Sequence, residues 1–185
     1  MKKGRILYSM KIGTLFDIDI YINSLLVVVL AIAMFTGNGT KITTIFLVIL
    51  IHEMAHVLMA RALNLKVREI ELLPFGGSVR IEGLFELNPK NEVLIALAGP
   101  MANIVLIFGY ISLQSLGMFS EESDNFFIMS NLVLAGFNLV PALPLDGGRV
   151  LRALLSKELG FKRSTYIAVN AGMVLAMFLI AVGIY

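Results

Sequence analysis

The chain has 185 residues, of which 58% are hydrophobic and 15% charged, with a mean hydropathy of +0.87. A soluble domain of this length cannot hide so much apolar surface, so the composition points to an α-helical polytopic membrane protein. The absence of cysteine excludes a disulfide framework and thiolate metal sites, and a net charge of +2 without an aromatic-interleaved basic stretch excludes nucleic acid as a partner.

The basic start, with Lys2, Lys3 and Arg5, is not followed by a small-residue cleavage site and is not read as a signal peptide. From Asp17 to Ile22 polar and apolar residues alternate, the period of a short strand. A first span is predicted over residues 22–35, short for a hydrocarbon layer of ~30 Å. Gly37-Asn38-Gly39 turns the chain into a second span, residues 42–63. That span carries His52-Glu53-Met54-Ala55-His56, and a helix places the two imidazoles one turn apart on one face. Two such rings grip one metal ion, and the adjacent carboxylate of Glu53 is placed to take a proton from an attacking water, as in a metal-dependent hydrolase. This five-residue pattern also arises by chance in soluble proteins. Here, however, His52 and His56 are the only two histidines, and they lie in an apolar segment where an ionisable group marks function.

Residues 64–89 differ in character. Lys66 to Leu73 and Gly77 to Glu82 are β-rich and charged, with Pro74-Phe75-Gly76-Gly77 between them. They predict a β-hairpin, either a plain connection or one that is interfacial or re-entrant; the apolar tip Leu72-Leu73-Pro74-Phe75 favours the second. The third span, residues 92–116, contains Ala98-Gly99-Pro100-Met101-Ala102-Asn103, where small residues allow close helix approach and Asn103 fits an interhelical hydrogen bonder better than a catalytic group. An acidic loop leads to a fourth span at 126–140. Pro141 and Pro144 then impose extended backbone before Asp146, while Gly147 and Gly148 permit close approach. A short amphipathic helix at 149–159 and a final span at 164–185 complete a single membrane-embedded domain of about five transmembrane helices. The apolar end at Tyr185 suggests a truncated chain.

The 15 Lys and Arg decide orientation: 14 fall in alternate connecting segments and only Lys41 in the others, so the amino terminus is placed in the cytoplasm. His56 then lies on the order of 10 Å below the cytoplasmic end of the second span, at a depth similar to Asp146 at the foot of the fourth. Asp146 thereby becomes the natural third ligand; capping the following helix is its other ordinary role.

Together, His52-Glu53-Met54-Ala55-His56, Leu72-Leu73-Pro74-Phe75-Gly76-Gly77, Ala98-Gly99-Pro100 and residues 138–148 resemble the site-2 protease family of intramembrane zinc metalloproteases. Within it the chain is most similar to the compact stage IV sporulation protein FB type. The resemblance implies a Zn2+ ion held by His52, His56 and Asp146, with Glu53 as general base. It implies further that Asn138 binds the substrate backbone or the developing oxyanion, and that Phe75, Gly76 and Gly77 belong to a segment receiving an unwound substrate by strand addition. The implied partners are a membrane-associated protein substrate, either a pro-sigma factor in sporulation or another membrane protein such as an anti-sigma factor, and membrane inhibitor or regulatory proteins. Sporulation members continue into another span and a nucleotide-sensing CBS domain, neither of which follows Tyr185 here. The competing reading is a metal- or haem-binding membrane protein without catalysis.

Overall fold

A computed structural model describes residues 9–15, 18–73, 76–81, 88–117 and 124–183. Strands β1 (Ser9–Leu15) and β2 (Ile18–Asn23) lead into helices α1 (Ser24–Phe35) and α2 (Gly39–Ala62). Strands β3 (Val67–Leu73) and β4 (Gly76–Ile81) follow, then helices α3 (Pro89–Ser115), α4 (Asp124–Asn138) and α5 (Asp146–Gly183). The strands form one sheet in the order β1-β2-β3-β4. Its outer pairs are antiparallel, whereas β2 and β3 run parallel, with Asp19 opposite Glu69 and Ile22 opposite Leu72. A parallel pair requires a crossover, and α1 with α2 supplies it. Where the sequence predicted one N-terminal strand and a separate hairpin, the structure has two strands and joins them to the hairpin. The cause is a shared core: Ile18 of β2 and Val67, Ile70 and Leu72 of β3 are buried against Leu26, Val57, Ala60 and Ile95.

Local signals set the element ends. The Asn23 side chain accepts the Leu25 N–H at 2.9 Å and starts α1, and Asn88 accepts the Lys90 N–H at 3.1 Å ahead of Pro89 in the first turn of α3. Helix α2 ends with Asn64 at φ 59°, the Asn64 N–H bonded to Arg61 O and the Leu65 N–H to Ala60 O, a Schellman ending that feeds the chain straight into β3. The amphipathic helix and final span expected after Asp146 form one element, α5, broken at Gly160 (φ 75°, ψ 161°).

Three helices, α2, α3 and α5, are long and apolar enough to cross a membrane. The expectation of about five spans is met by length in these three. Helices α1 and α4, of 12 and 15 residues, rise only about 18 and 22 Å against the ~30 Å of a hydrocarbon layer. Large apolar side chains such as Phe35, Phe108 and Phe178 face outward, while the buried polar groups His52, His56, Asn103, Asn131, Asp146, Glu92 and Arg152 are drawn from α2, α3, α4 and α5. Helix α3 packs against each of the other three and so forms the wall behind the site.

Candidate metal centre

His52 and His56 lie one turn apart on the buried face of α2, their ring centroids 4.8 Å apart and their planes at 81°. Both Nε2 atoms point at one oxygen: Asp146 Oδ2 is 3.3 Å from His52 Nε2 and 3.1 Å from His56 Nε2. One ligand atom from each residue lies within 4.8 Å of the others, as a metal site requires. Two nitrogens and an oxygen at roughly 2.0–2.1 Å from a tetrahedral zinc ion would stand about 3.3 Å apart, so the donor set fits that metal. The wall opposite is equally telling. A Cβ on Gly99 of α3 would meet His56 Nε2 at 2.4 Å and His52 Nε2 at 2.6 Å, so hydrogen there leaves the seat open. No porphyrin plane fits between imidazoles whose nitrogens converge on a single carboxylate oxygen, which disposes of the haem reading.

Asp146 is delivered by a folded connection rather than by a helix face. After Asn138 the chain makes tight bonds from Ala142 N–H to Val140 O, Leu145 N–H to Ala142 O and Gly148 N–H to Leu145 O, and the Leu143 N–H donates to Ala168 O in the far half of α5. Residue 148 must be glycine for this packing: a Cβ there would lie 2.3 Å from the Ala142 carbonyl carbon. Behind the site, the buried Arg152 of α5 donates Nε–H to Glu92 Oε1 of α3 at 3.0 Å, and its Nη2 bonds to the same oxygen. This ion pair ties the start of α5, and with it Asp146, to the start of α3.

The outer ring nitrogens are also engaged. His52 Nδ1 lies 2.5 Å from Asn103 Oδ1, and His56 Nδ1–H donates to Ile95 O at 2.7 Å. Such contacts fix the ring orientation and leave Nε2 free to ligate. Half-buried Glu53 accepts the Gly77 N–H through Oε1 at 2.9 Å, so the acid rests against the outer edge of β4. The second oxygen of Asp146 faces Arg149 Nη1 at 3.6 Å.

The structure thus brings together His52, His56, Asp146 and, beside them, Glu53 with Gly77; Gly76 precedes Gly77 in β4. Asn138 closes α4, its Nδ2 donating to Leu134 O at 3.1 Å. Phe75 lies outside the described residues. Sequence reasoning passed over Asn131, Arg149 and the Glu92–Arg152 pair. Asn131 could have been flagged as an amide inside an apolar span, but neither its partner nor those of the others can be read from spacing.

The family model described as Peptidase family M50 matches residues 40–121 and 120–179. A zinc metalloprotease of Methanocaldococcus jannaschii is 32% identical over 90% of this chain and 51% of its own length. Stage IV sporulation protein FB of Bacillus subtilis is 31% identical over 80% of this chain and 51% of its own. The chain therefore spans about half the length of these relatives. Among solved structures, the site-2 protease from Methanocaldococcus jannaschii superposes with a TM-score of 0.77 at 29% identity, over 96% of this chain and 85% of that one.

Proposed function

The chain belongs to peptidase family M50, the site-2 proteases, and on that premise we propose that it is a zinc metalloprotease hydrolysing a peptide bond of a membrane-associated protein near the cytoplasmic face. The observation that carries this reading is the meeting of His52, His56 and Asp146 with Glu53 on the same helix. Zinc held by those three residues supplies a Lewis acid for the scissile carbonyl and an open position for water. Glu53 removes a proton from the attacking water and passes it to the leaving nitrogen. Its bond to the Gly77 N–H holds the carboxylate in place between turnovers.

A helical substrate has to unwind before any of its peptide bonds can be reached, and the released N–H and C=O groups need new partners. Strand β4 is an edge of the sheet and turns the Gly77 N–H toward Glu53. We take residues 75–77 as the rail along which the unwound segment pairs, with Asn138 binding its backbone after giving up Leu134 O. As substrate, a membrane-tethered pro-sigma factor is the sporulation form of this reading and a membrane anti-sigma factor the other.

Five crossings with a cytoplasmic amino terminus complete the proposal. The parallel pairing of β2 with β3 supports it: both ends of the α1–α2 unit lie in one sheet, so if α2 crosses, α1 must cross back. The Glu92–Arg152 pair does the same for α3 and α4.

The test is co-expression with membrane-tethered pro-sigma and anti-sigma substrates, comparing wild type with Glu53→Gln and Asp146→Asn. Glu53→Gln is expected to keep its zinc on purification while cleavage falls roughly 10²–10⁴-fold. Asp146→Asn is expected to lose both. Undiminished cleavage by Glu53→Gln removes that residue from the mechanism, and stoichiometric zinc in Asp146→Asn removes the third ligand.

A further inference from the structure

Three helices meet at Asn103, and the hydrogen bonds there run in one direction only. Asn131 Nδ2 of α4 donates to Phe127 O at 2.9 Å. A backbone carbonyl can only accept, so the amide of Asn131 must turn its Oδ1 away, toward α3. There it accepts from Asn103 Nδ2 at 2.8 Å. Asn103 consequently presents Oδ1 to α2, where His52 Nδ1 lies 2.5 Å away. An amide oxygen cannot donate, so His52 must carry its proton on Nδ1 and keep a lone pair on Nε2, the nitrogen that faces Asp146.

We infer that Asn103 and Asn131 are positioning residues that transmit the polarity of the Phe127 carbonyl to His52 and lock it in its ligating tautomer. Both asparagines are fully buried and both sit in apolar helices, where an amide without partners is costly. Neither touches the atoms that would hold the metal, so their influence runs through His52. Asn103 alone could rotate its amide and offer Nδ2 instead, which would select the opposite tautomer. Asn131 prevents that rotation, because its own amide is held by Phe127. His56 has no such chain: Ile95 O accepts from it directly. The two imidazoles are therefore oriented by different devices, one by a carbonyl in contact and the other by a carbonyl two amides away.

The inference rests on the zinc reading of the site, and its test separates the two. Because the chain holds only two histidines, ¹⁵N-histidine NMR of the full chain in lipid nanodiscs resolves both rings without ambiguity. In metal-free wild type at a pH where both rings are neutral, each is expected as the Nδ1–H form. Asn103→Ala and Asn131→Ala are expected to spread His52 over both tautomers while His56 stays unchanged, an internal control for loosened packing. Titration with Co2+, followed by its visible absorption, is expected to show about 10–100-fold weaker binding for Asn103→Ala. Asn131→Ala leaves the Asn103 amide two orientations, of which one is competent, and is expected to weaken binding about twofold. Beside Asn103→Ala, which already removes the amide that Asn131 orients, Asn131→Ala is expected to add no further change at His52. An unchanged His52 in both alanine variants, an Asn131→Ala effect on His52 that persists beside Asn103→Ala, or His56 shifting together with His52 overturns the inference. Wild type that binds no Co2+ sinks the zinc reading instead, while the tautomer measurement still decides the relay.

Discussion

Gly99 is the residue on which filling of the site turns. Its missing side chain leaves room beside both Nε2 atoms, and a methyl group there would stand 2.4 and 2.6 Å from them. In a helix interior alanine is favoured over glycine by roughly 0.5–1 kcal/mol, so the backbone gives no reason for glycine. Because two buried rings must shift to admit the methyl group, Gly99→Ala is expected to lower the unfolding midpoint despite the helix preference, and zinc content is expected to fall well below stoichiometric. Metal analysis beside a melting curve checks this, and a Gly99→Ala protein with full zinc refutes the placement. In the sequence, Gly99 reads as a small residue for helix approach. What approaches it is instead a pair of rings from α2, a fact that belongs to packing. The histidine pair itself was legible because four-residue spacing is a local property of a helix. Asp146 was legible at longer range, since charge asymmetry and two prolines place it at the right depth. Asn131 was not, because its work depends on which of its amide atoms meets Asn103.

Among the elements, the join between α3 and α5 carries the position of Asp146. Glu92 and Arg152 are buried, bonded to each other, with the guanidinium 5.1 Å from the Phe161 ring. Removing one partner strands a charge in an apolar setting and costs about 3–5 kcal/mol, whereas replacing both by apolar side chains of similar size leaves nothing stranded. Arg152→Met is therefore expected to lower the unfolding midpoint in detergent markedly, and Glu92→Leu with Arg152→Met to recover most of the loss. A double variant as unstable as the single one would show that the pair itself, and not the stranded charge, matters. The elements of the fold were largely legible: hydrophobic runs and prolines placed each helix to within a few residues. The sheet was not. Alternation marks a strand but carries no partner, and the pairing of Asp19 with Glu69 spans two intervening helices.

For the molecule as a whole, that pairing constrains how the chain threads a bilayer. Strands β2 and β3 are hydrogen-bonded neighbours, so they occupy one side of the membrane, and the chain between them crosses an even number of times. Helix α2, with 24 residues, rises about 36 Å, whereas the 12 residues of α1 rise about half as far. In the proposed five-crossing arrangement the shortfall would be met by thinning of the bilayer or tilt of α2 around α1, with Lys41 near the far surface and, by the same parity, Lys66 and Lys157 on the other side. A chain without cysteine makes this measurable without background: single Lys41→Cys, Lys66→Cys and Lys157→Cys variants can be labelled in intact cells with a membrane-impermeant maleimide. Lys41→Cys is expected to react from outside, and the other two only after the membrane is opened. Outside labelling of Lys66→Cys would invert the orientation and move Glu53 to the outer leaflet; equal protection of all three would mean that α2 does not cross. The first result would also cut the site off from a cytoplasmic substrate, because the sheet edge at β4 and the carboxylate it touches lie toward the Lys66 end of α2.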